Sequence, residues 1–570
     1  MSIGSHGIRD TTANTSESRP PELLCDRAVR LVRETVDDAD ADGAVVALSG
    51  GVDSATTAAV AVEALGADNV YTLALPTAET RDEDTDDARE WATTLGVDHA
   101  TAPLAPAVDV FRRHLAPRIA PAGDEYAAGN LAARLRMAAA YFVANATNRL
   151  VVGTANRTER LLGYYTKYGD GGVDLLPLGE YDKGEVRTLA AHLGVPEQIR
   201  EKAPTAGFWD GQTDEADLGA TYATLDRVVD ALDAGERGVR PPAAVVDRLD
   251  ADPATVAEQA ARMHRTAHKR TRPSAPPRPL RVLDGGDGLV TGGERVGHVA
   301  DDLTSFVRER VETAGARRVV VRLSGDVGSS VVAALAADAL GPERVYGLHL
   351  PCHKTSRLDR PDPAVIADDL GIEFDRVNVR PLVVEMESAL PHEVTERAGV
   401  RELANLVSRV RMACAYYVAN TETDLVLGTT DRTDLQLGRV TKFGDEAVDL
   451  RPLGGLYRTE VAALGRHLDL PDSVVEQSAD VGATVGAEPD AEMDIERSAA
   501  TVDGVLEGLV DRDIGITRTA AAQGVDPVVV RRCAQAHVRS QHKRSTPPTT
   551  ADRPDPGPFH ELELKFETGE

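Results

Sequence analysis

The chain has 570 residues, 42% of them hydrophobic and 4% aromatic, and a formal net charge of −29. That length exceeds a single hydrophobic core and points to two domains of roughly 250 residues, while the acidity lacks the basic footprint that nonspecific nucleic-acid binding requires. No apolar run approaches the ~18 residues of a membrane span, and the N-terminus MSIGSHGIRDTTANTSES has no hydrophobic secretory segment, so a cytoplasmic chain with a disordered tail over 1–20 is expected.

Residues 44–49 (AVVALS) read as a buried strand that runs into a glycine-rich loop, followed by an alanine-rich helix over 54–65. A strand at 70–75 (VYTLAL), an acidic helix near 82–95, a helix over 131–147 and a strand over 150–154 (LVVGT) continue the series. Strands alternating with helices predict βαβ units and a doubly wound parallel sheet. Residues 203–219 read as a long loop of the kind that closes over active sites, with Trp209 packed in it. The order then starts again: VVVRLS (319–324), VYGLHL (345–350), a helix over 406–419 and LVLGT (425–429). The Pro/Gly-rich stretch 271–295 reads as a linker between two α/β domains, 21–270 and 296–545, and the proline-rich end, 546–570, as a second disordered tail.

The repeat has a constant offset of 275 residues. Arg134 returns as Arg409, Thr154 as Thr429, Lys167 as Lys442 and Asp174 as Asp449. The chain is a tandem duplication, and each half serves as a control for the other. Composition adds two constraints. Four scattered cysteines without CxxC spacing argue against a zinc site or a disulfide framework. With 8 lysines against 55 arginines, and an acidic surface whose self-repulsion molar salt would screen, the chain resembles proteins of salt-accumulating halophiles. Six of the scarce lysines, Lys167, Lys183, Lys202, Lys269, Lys442 and Lys543, fall inside motifs, so they are candidates for function rather than surface solvation.

The loop SGGVDS (Ser49–Ser54) joins a strand to a helix, which presents backbone N–H groups and the positive helix end to an anion. Gly50 and Gly51 allow close approach, and Ser49 and Ser54 add hydroxyls. Asp53 beside a phosphate implies a Mg²⁺ ion.

The loop resembles the pyrophosphate loop of the N-type ATP pyrophosphatases. GNLAARLRM (129–137), VVGTANRTE (151–159), TKYGDGGVDLLPLGEYDKGEV (166–186), KAPTAGFWDGQTDE (202–215) and His268-Lys269-Arg270 extend the resemblance to ammonia-dependent NAD synthetase over essentially the whole first half. The resemblance implies adenylation of the nicotinate carboxylate of deamido-NAD by ATP, with pyrophosphate released, then displacement of AMP by ammonia. It implies ATP contacts from Ala47, Leu48, Ser49, Gly50, Gly51, Val52, Asp53, Ser54, Thr154, Lys183 and Thr205, and Mg²⁺ held by Asp53 and Glu159. Deamido-NAD contacts fall to Arg134, Lys167, Asp174, His268 and Lys269. Asp53, Lys183 and Asp174 are the expected catalytic groups, Asp174 as a candidate base toward ammonium.

In the second half the loop becomes SGDVGS (Ser324–Ser329): Asp53 is replaced by Gly328 and Gly51 by Asp326, Glu159 shortens to Asp434, Lys183 becomes Arg458 and Thr205 becomes Asp480. In the lid region QTDE gives way to AEPDAEMD. A carboxylate entering the anion loop as the metal ligand leaves predicts a dead ATP site. Arg409, Lys442, Asp449, His542 and Lys543 nonetheless persist. The family resemblance implies a homodimer whose substrate sites lie at the subunit interface, so an intramolecular pseudo-dimer is expected, with Arg409, Lys442, His542 and Lys543 lent to the first half's site. Homodimerisation through the first half is the alternative, because Arg134, Lys167, His268 and Lys269 also persist. The competing functions are another N-type pyrophosphatase ligase and a non-catalytic nucleotide sensor. The second copy occupies the length a glutaminase domain would need, so free ammonia is the expected nitrogen donor.

Overall fold

A parallel strand covered on both faces needs apolar residues at successive positions, and Ala44-Val45-Val46 supplies them, fully buried. In the computed structural model, which describes residues 19–209, 211–233, 239–240, 242–249, 251–278, 288–352, 361–476 and 498–551, this segment is β1 (Gly43–Ala47). It pairs in parallel with β2 (Val70–Ala74) and β4 (Arg149–Val152), and β2 pairs with β3 (Asp98–Thr101), in the order β3-β2-β1-β4. The second half repeats the sheet as β7-β6-β5-β8, with β5 (Val319–Arg322), β6 (Val345–His349), β7 (Glu373–Arg376) and β8 (Leu425–Leu427). Two parallel-sheet α/β domains are therefore present, as the alternating pattern predicts. The edge strands β3 and β7 escape that pattern because DHAT and EFDR are polar and half exposed.

Strand order reverses between β1 and β4. The crevice beyond their carboxyl ends is where open α/β sheets bind ligands, and both the glycine loop and Thr154 lie there. Helices Pro21–Asp38, Val52–Leu65 and Lys183–His192 pack together on one side of the first sheet. Glu125–Ala146 covers the other, its start capped by Asp124, whose Oδ1 accepts from the Ala127 N–H at 2.8 Å. This helix is buried nearly all round, as a helix between two layers must be. It packs on β1 and β4 with one side and on Val400–Glu422 of the second half with the other. One apolar core consequently runs without a break from Val45 and Leu73 through Phe142 to Tyr416, Val410 and Val320.

The halves also exchange their C-terminal segments. After the first domain, Ser274 bridges Leu450 and its carbonyl accepts from Arg451 N–H at 2.8 Å. After the second, Thr549 bridges Leu176, and the Pro548 carbonyl accepts from Leu176 N–H at 2.9 Å. The tail expected to be disordered from 546 is thus seated on the first half as far as Ala551, because its backbone completes hydrogen bonds that the Leu176 edge offers. The expected linker likewise begins as a docked arm: Arg278 pairs with Glu460 and Asp511, both at 2.9 Å. The long loop predicted over 203–219 ends earlier, since Thr213 caps a short helix at Asp214–Leu218. The replacement at Asp480, the AEPDAEMD segment and linker residues 279–287 lie outside the described residues. Among the described residues no helix is long and apolar enough to cross a membrane.

Candidate active site

Gly50 has φ +76°, and a Cβ there would lie 2.2 Å from the Asp84 carbonyl oxygen, so only glycine fits the bend. Lys202 ties the bend to the acidic helix Asp82–Leu95: its Nζ reaches the Gly50 carbonyl at 3.3 Å and Asp84 at 2.7 Å, and it also pairs with Asp87. Ser54 Oγ donates to the Gly51 carbonyl and accepts from Ser49 N–H. Gly51 then begins the helix Val52–Leu65 with no side-chain cap. Ala47, Leu48, Ser49, Gly50, Gly51, Val52, Asp53 and Ser54 therefore make one turn that offers the helix end to the crevice.

Asp53, on the first turn of that helix, meets Lys183 and Glu159. Lys183 Nζ lies 2.5 Å from Asp53 Oδ2 and 3.3 Å from Glu159 Oε1. Two capping boxes hold the partners in place, Asn156 with Glu159 and Asp182 with Glu185. Asn156 also donates to Asp53 Oδ1 at 3.1 Å, and Tyr222 OH donates to Glu159 at 3.2 Å and Asp214 at 3.0 Å. Asn156, Asp214 and Tyr222 were not singled out from the sequence. Asn156 and Asp214 do lie inside the segments VVGTANRTE and KAPTAGFWDGQTDE, and Asn156 also changes to Asp431 in the second half. Burial weighs against the Lys183 charge, but Asp53 and Glu159 outweigh it and raise its pKa. Burial, reinforced by Asp53 and Asp214, pushes Glu159 up to about 8 despite Lys183.

Among the described residues, no group of three or more acidic, histidine or cysteine side chains is arranged as a metal cage. The donors do fit a Mg²⁺ ion that completes its shell with substrate phosphates and water, the usual case for this ion. Asp53 and Glu159 share one cation, and buried Asp214 Oδ1 has no hydrogen-bond partner among the described residues. Thr154 follows β4 at the crevice, half-buried. Thr205 is exposed and accepts from Gly207 N–H at 3.1 Å, outside the Lys183 cluster. Trp209 packs edge-on against Phe208.

The remaining expected residues gather where the halves meet. Asp174 Oδ1 accepts from Lys442 Nζ at 2.6 Å across the interface, and Asp449 Oδ1 accepts from Lys167 Nζ at the same distance. Arg134 and Arg409 are 2% exposed, each lying over a tyrosine of the opposite half, Tyr416 and Tyr141, at 4.5 Å. They donate across to Asn420 and Asn145. Burial and the Lys167 ammonium depress His268 to about 4, and burial and Lys442 depress His542 to about 3. Lys269 and Lys543 depart from expectation: each ammonium is held by two carbonyls of its own half, Gly163 and Tyr165 or Gly438 and Val440, at 2.6–2.9 Å. Asp174 departs as well. Burial would raise its pKa, but Lys442 and the Val151 N–H hold it below the usual carboxylate range, which makes it a poor base and a good anchor.

In the second half the corresponding crevice is closed. Asp326 takes the place of Gly51 and caps its helix, accepting from Ser329 N–H at 2.8 Å and Ser324 Oγ at 2.6 Å. Its carboxylate occupies the position an anion would take. Gly328 lies against the segment that follows β8: a Cβ there would come within 2.6 Å of the Thr429 carbonyl oxygen. Arg458 pairs with Asp431 at 3.1 Å and with Asp434.

A family model described as NAD synthase matches the chain twice, over residues 24–273 and 299–547. An NH(3)-dependent NAD(+) synthetase of Methanococcoides burtonii is 46% identical over 232 residues, spanning 41% of this chain and 86% of that protein. Its namesake in Methanosarcina acetivorans is 42% identical over 259 residues (45% and 98%), and that of Halobacterium salinarum 41% over 273 residues (47% and 96%). Each relative is about as long as one half of this chain. The chain belongs to the NAD synthase family and carries the family unit twice, once with an open glycine loop and once with a capped one.

Proposed function

We propose that the first half catalyses ammonia-dependent NAD synthesis from ATP and deamido-NAD, and that the second half completes its substrate site as an intramolecular partner. The observation that carries this reading is the contrast between the loops. The first ends in an uncapped helix beside Asp53, Lys183 and Glu159, and the second is capped by its own Asp326.

In the first step a carboxylate oxygen of the nicotinate attacks the α-phosphorus of ATP, and the bond to the β-phosphate oxygen breaks. The uncapped amide groups after Gly51 and the Ser49 and Ser54 hydroxyls hold the departing pyrophosphate. Lys183, kept protonated by its neighbours, places a fixed positive charge where negative charge accumulates. A Mg²⁺ ion held by Asp53 and Glu159 would neutralise phosphate charge. In the second step ammonia adds to the acyl carbon, the bond to the AMP oxygen breaks, and the nitrogen gives up a proton to yield the amide. Asp174 positions the pyridine end through Lys442, and the arms close the site from both halves, so positioning contributes much of the rate.

Retention of Lys167 and Arg134 does not require a second chain. Both have partners within the chain, Lys167 in Asp449 and Arg134 in Asn420 and Tyr416, just as Lys442 and Arg409 have theirs in Asp174, Asn145 and Tyr141. The four cysteines are buried and unpaired, which suits a reducing cytoplasm. The reading is tested by following pyrophosphate and NAD in molar KCl with ATP, Mg²⁺, deamido-NAD and ammonium. Matched release of both is expected. ATP binding without pyrophosphate release would instead support a nucleotide sensor.

A further inference from the structure

A cavity of about 280 Å³ lies between the halves, near the lower edge of the roughly 300–1,000 Å³ typical of small-molecule sites. Its centre is symmetric, lined by Lys167, Tyr168 and Gly171 and by their counterparts Lys442, Phe443 and Glu446. Its extension is not. It reaches Ala155, Arg160, Leu176 and Glu180 of the first half, and none of their counterparts in the second half lines it.

Three positions differ together. The first half has Tyr165, Gly171 and Leu176, and the second has Val440, Glu446 and Arg451. Two of the first set depend on each other: a Cβ on Gly171 would lie 2.5 Å from the Tyr165 ring. Where the ring shrinks to Val440, the glycine has become a glutamate. Arg451 is 2% exposed and folds back over Gly454, and its guanidinium donates to the Glu446 carbonyl at 2.9 Å and to its carboxylate at 3.3 Å. Phe443 N–H donates to the other carboxylate oxygen at 3.4 Å. The polar wall of the open side, the Arg160–Glu180 pair at 2.5 Å, is meanwhile replaced by Leu435 and Gly455. A buried ion pair gives little net stability over an apolar filling, so core packing alone does not account for it. Its effect is to occupy, in the second half, the volume that Gly171 and Leu176 leave open in the first.

We propose that the chain binds one deamidated dinucleotide, on the first half's side, and that the Glu446–Arg451 pair with Val440 plugs the equivalent site of the second half. The loss of the second centre is thus double: the phosphate loop is capped by Asp326, and the dinucleotide pocket is filled by a separate device. This rests on the substrate assigned above.

Calorimetric titration of the full chain with deamido-NAD alone, in molar KCl, tests it. One equivalent per chain is expected for the natural sequence and two for Val440→Tyr/Glu446→Gly/Arg451→Leu. Two equivalents in the natural chain, or still one in a folded triple variant, would overturn the plug while leaving the proposed reaction intact. No binding to the natural chain would overturn the substrate assignment and the plug with it. Should the triple variant fail to fold, the inverse change decides. Tyr165→Val/Gly171→Glu/Leu176→Arg should abolish deamido-NAD binding in a chain that still binds ATP, and retained dinucleotide binding would sink the proposal.

Discussion

Lys442→Ala, set against Lys167→Ala, separates what the interface does for stability from what it does for catalysis. The two lysines make the same bond: Nζ to carboxylate at 2.6 Å across the same interface, with each partner about a tenth exposed. Removing one member of a buried pair costs about 3–5 kcal/mol, because the remaining charge stays buried and unpaired. Both variants should therefore lose similar stability, equal to within about 1 kcal/mol in guanidinium unfolding at molar salt. Catalysis should part them. Lys442 anchors Asp174 in the half that has the open glycine loop, and Lys167 anchors Asp449 in the half that has the capped one. Loss of a charge-assisted contact of about 2–3 kcal/mol corresponds to roughly 30–150-fold in kcat/KM for deamido-NAD. Lys442→Ala should show that loss with little change in KM for ATP, and Lys167→Ala a loss at least ~10-fold smaller. Equal losses in the two variants, or none in Lys442→Ala, would refute the reasoning that one half serves the other.

Restoring the lost loop residues in the second half, Asp326→Gly with Gly328→Asp, should still leave one ATP per chain by equilibrium dialysis, because the Cβ at 328 would press on the Thr429 carbonyl; a second equivalent would show that the crevice is not closed. Stability should fall from about pH 6.5 downward. His268 and His542, kept neutral by burial with depressed values of about 4 and 3, gain protons first in the unfolded chain, and their contribution disappears as pH drops through those values. His268→Gln/His542→Gln should flatten that limb of the unfolding curve, and an unchanged slope would discount them. Ending the chain at Ser545 should raise KM for deamido-NAD by ~10-fold, the equivalent of about 1.4 kcal/mol, because Pro548 and Thr549 brace the Leu176–Glu180 segment. Ending it at Ala551 should change little, and equal behaviour of the two truncations would remove that role from the arm.

Local pattern made the sheet and the loop legible. Apolar β1 running into SGGVDS could be little other than a buried strand meeting an anion-binding turn, and the 275-residue offset exposed which copy had lost Asp53. The acidic lid segment was less legible, because Thr213 caps the helix Asp214–Leu218 within what composition marks as loop. Edge strands β3 and β7 were hidden by their polar, half-exposed residues.

Pairing across the halves was decided only in three dimensions. Motif position cannot say whether Lys269 or Lys442 reaches the opposite carboxylate. The choice depends on the Glu125–Ala146 and Val400–Glu422 helices packing together, which brings Lys442 to Asp174 and leaves Lys269 to backbone carbonyls of its own half. The linkage of Tyr165 to Gly171, and of Glu446 to Arg451, is likewise a matter of volume, which a one-dimensional comparison lists as unrelated changes. By itself the sequence determined the family, the duplication and the intact phosphate loop, since these depend on residues close along the chain. Tertiary structure decided which charges neutralise one another and which cavity stays open, because both depend on groups that folding brings together from some 270 residues apart.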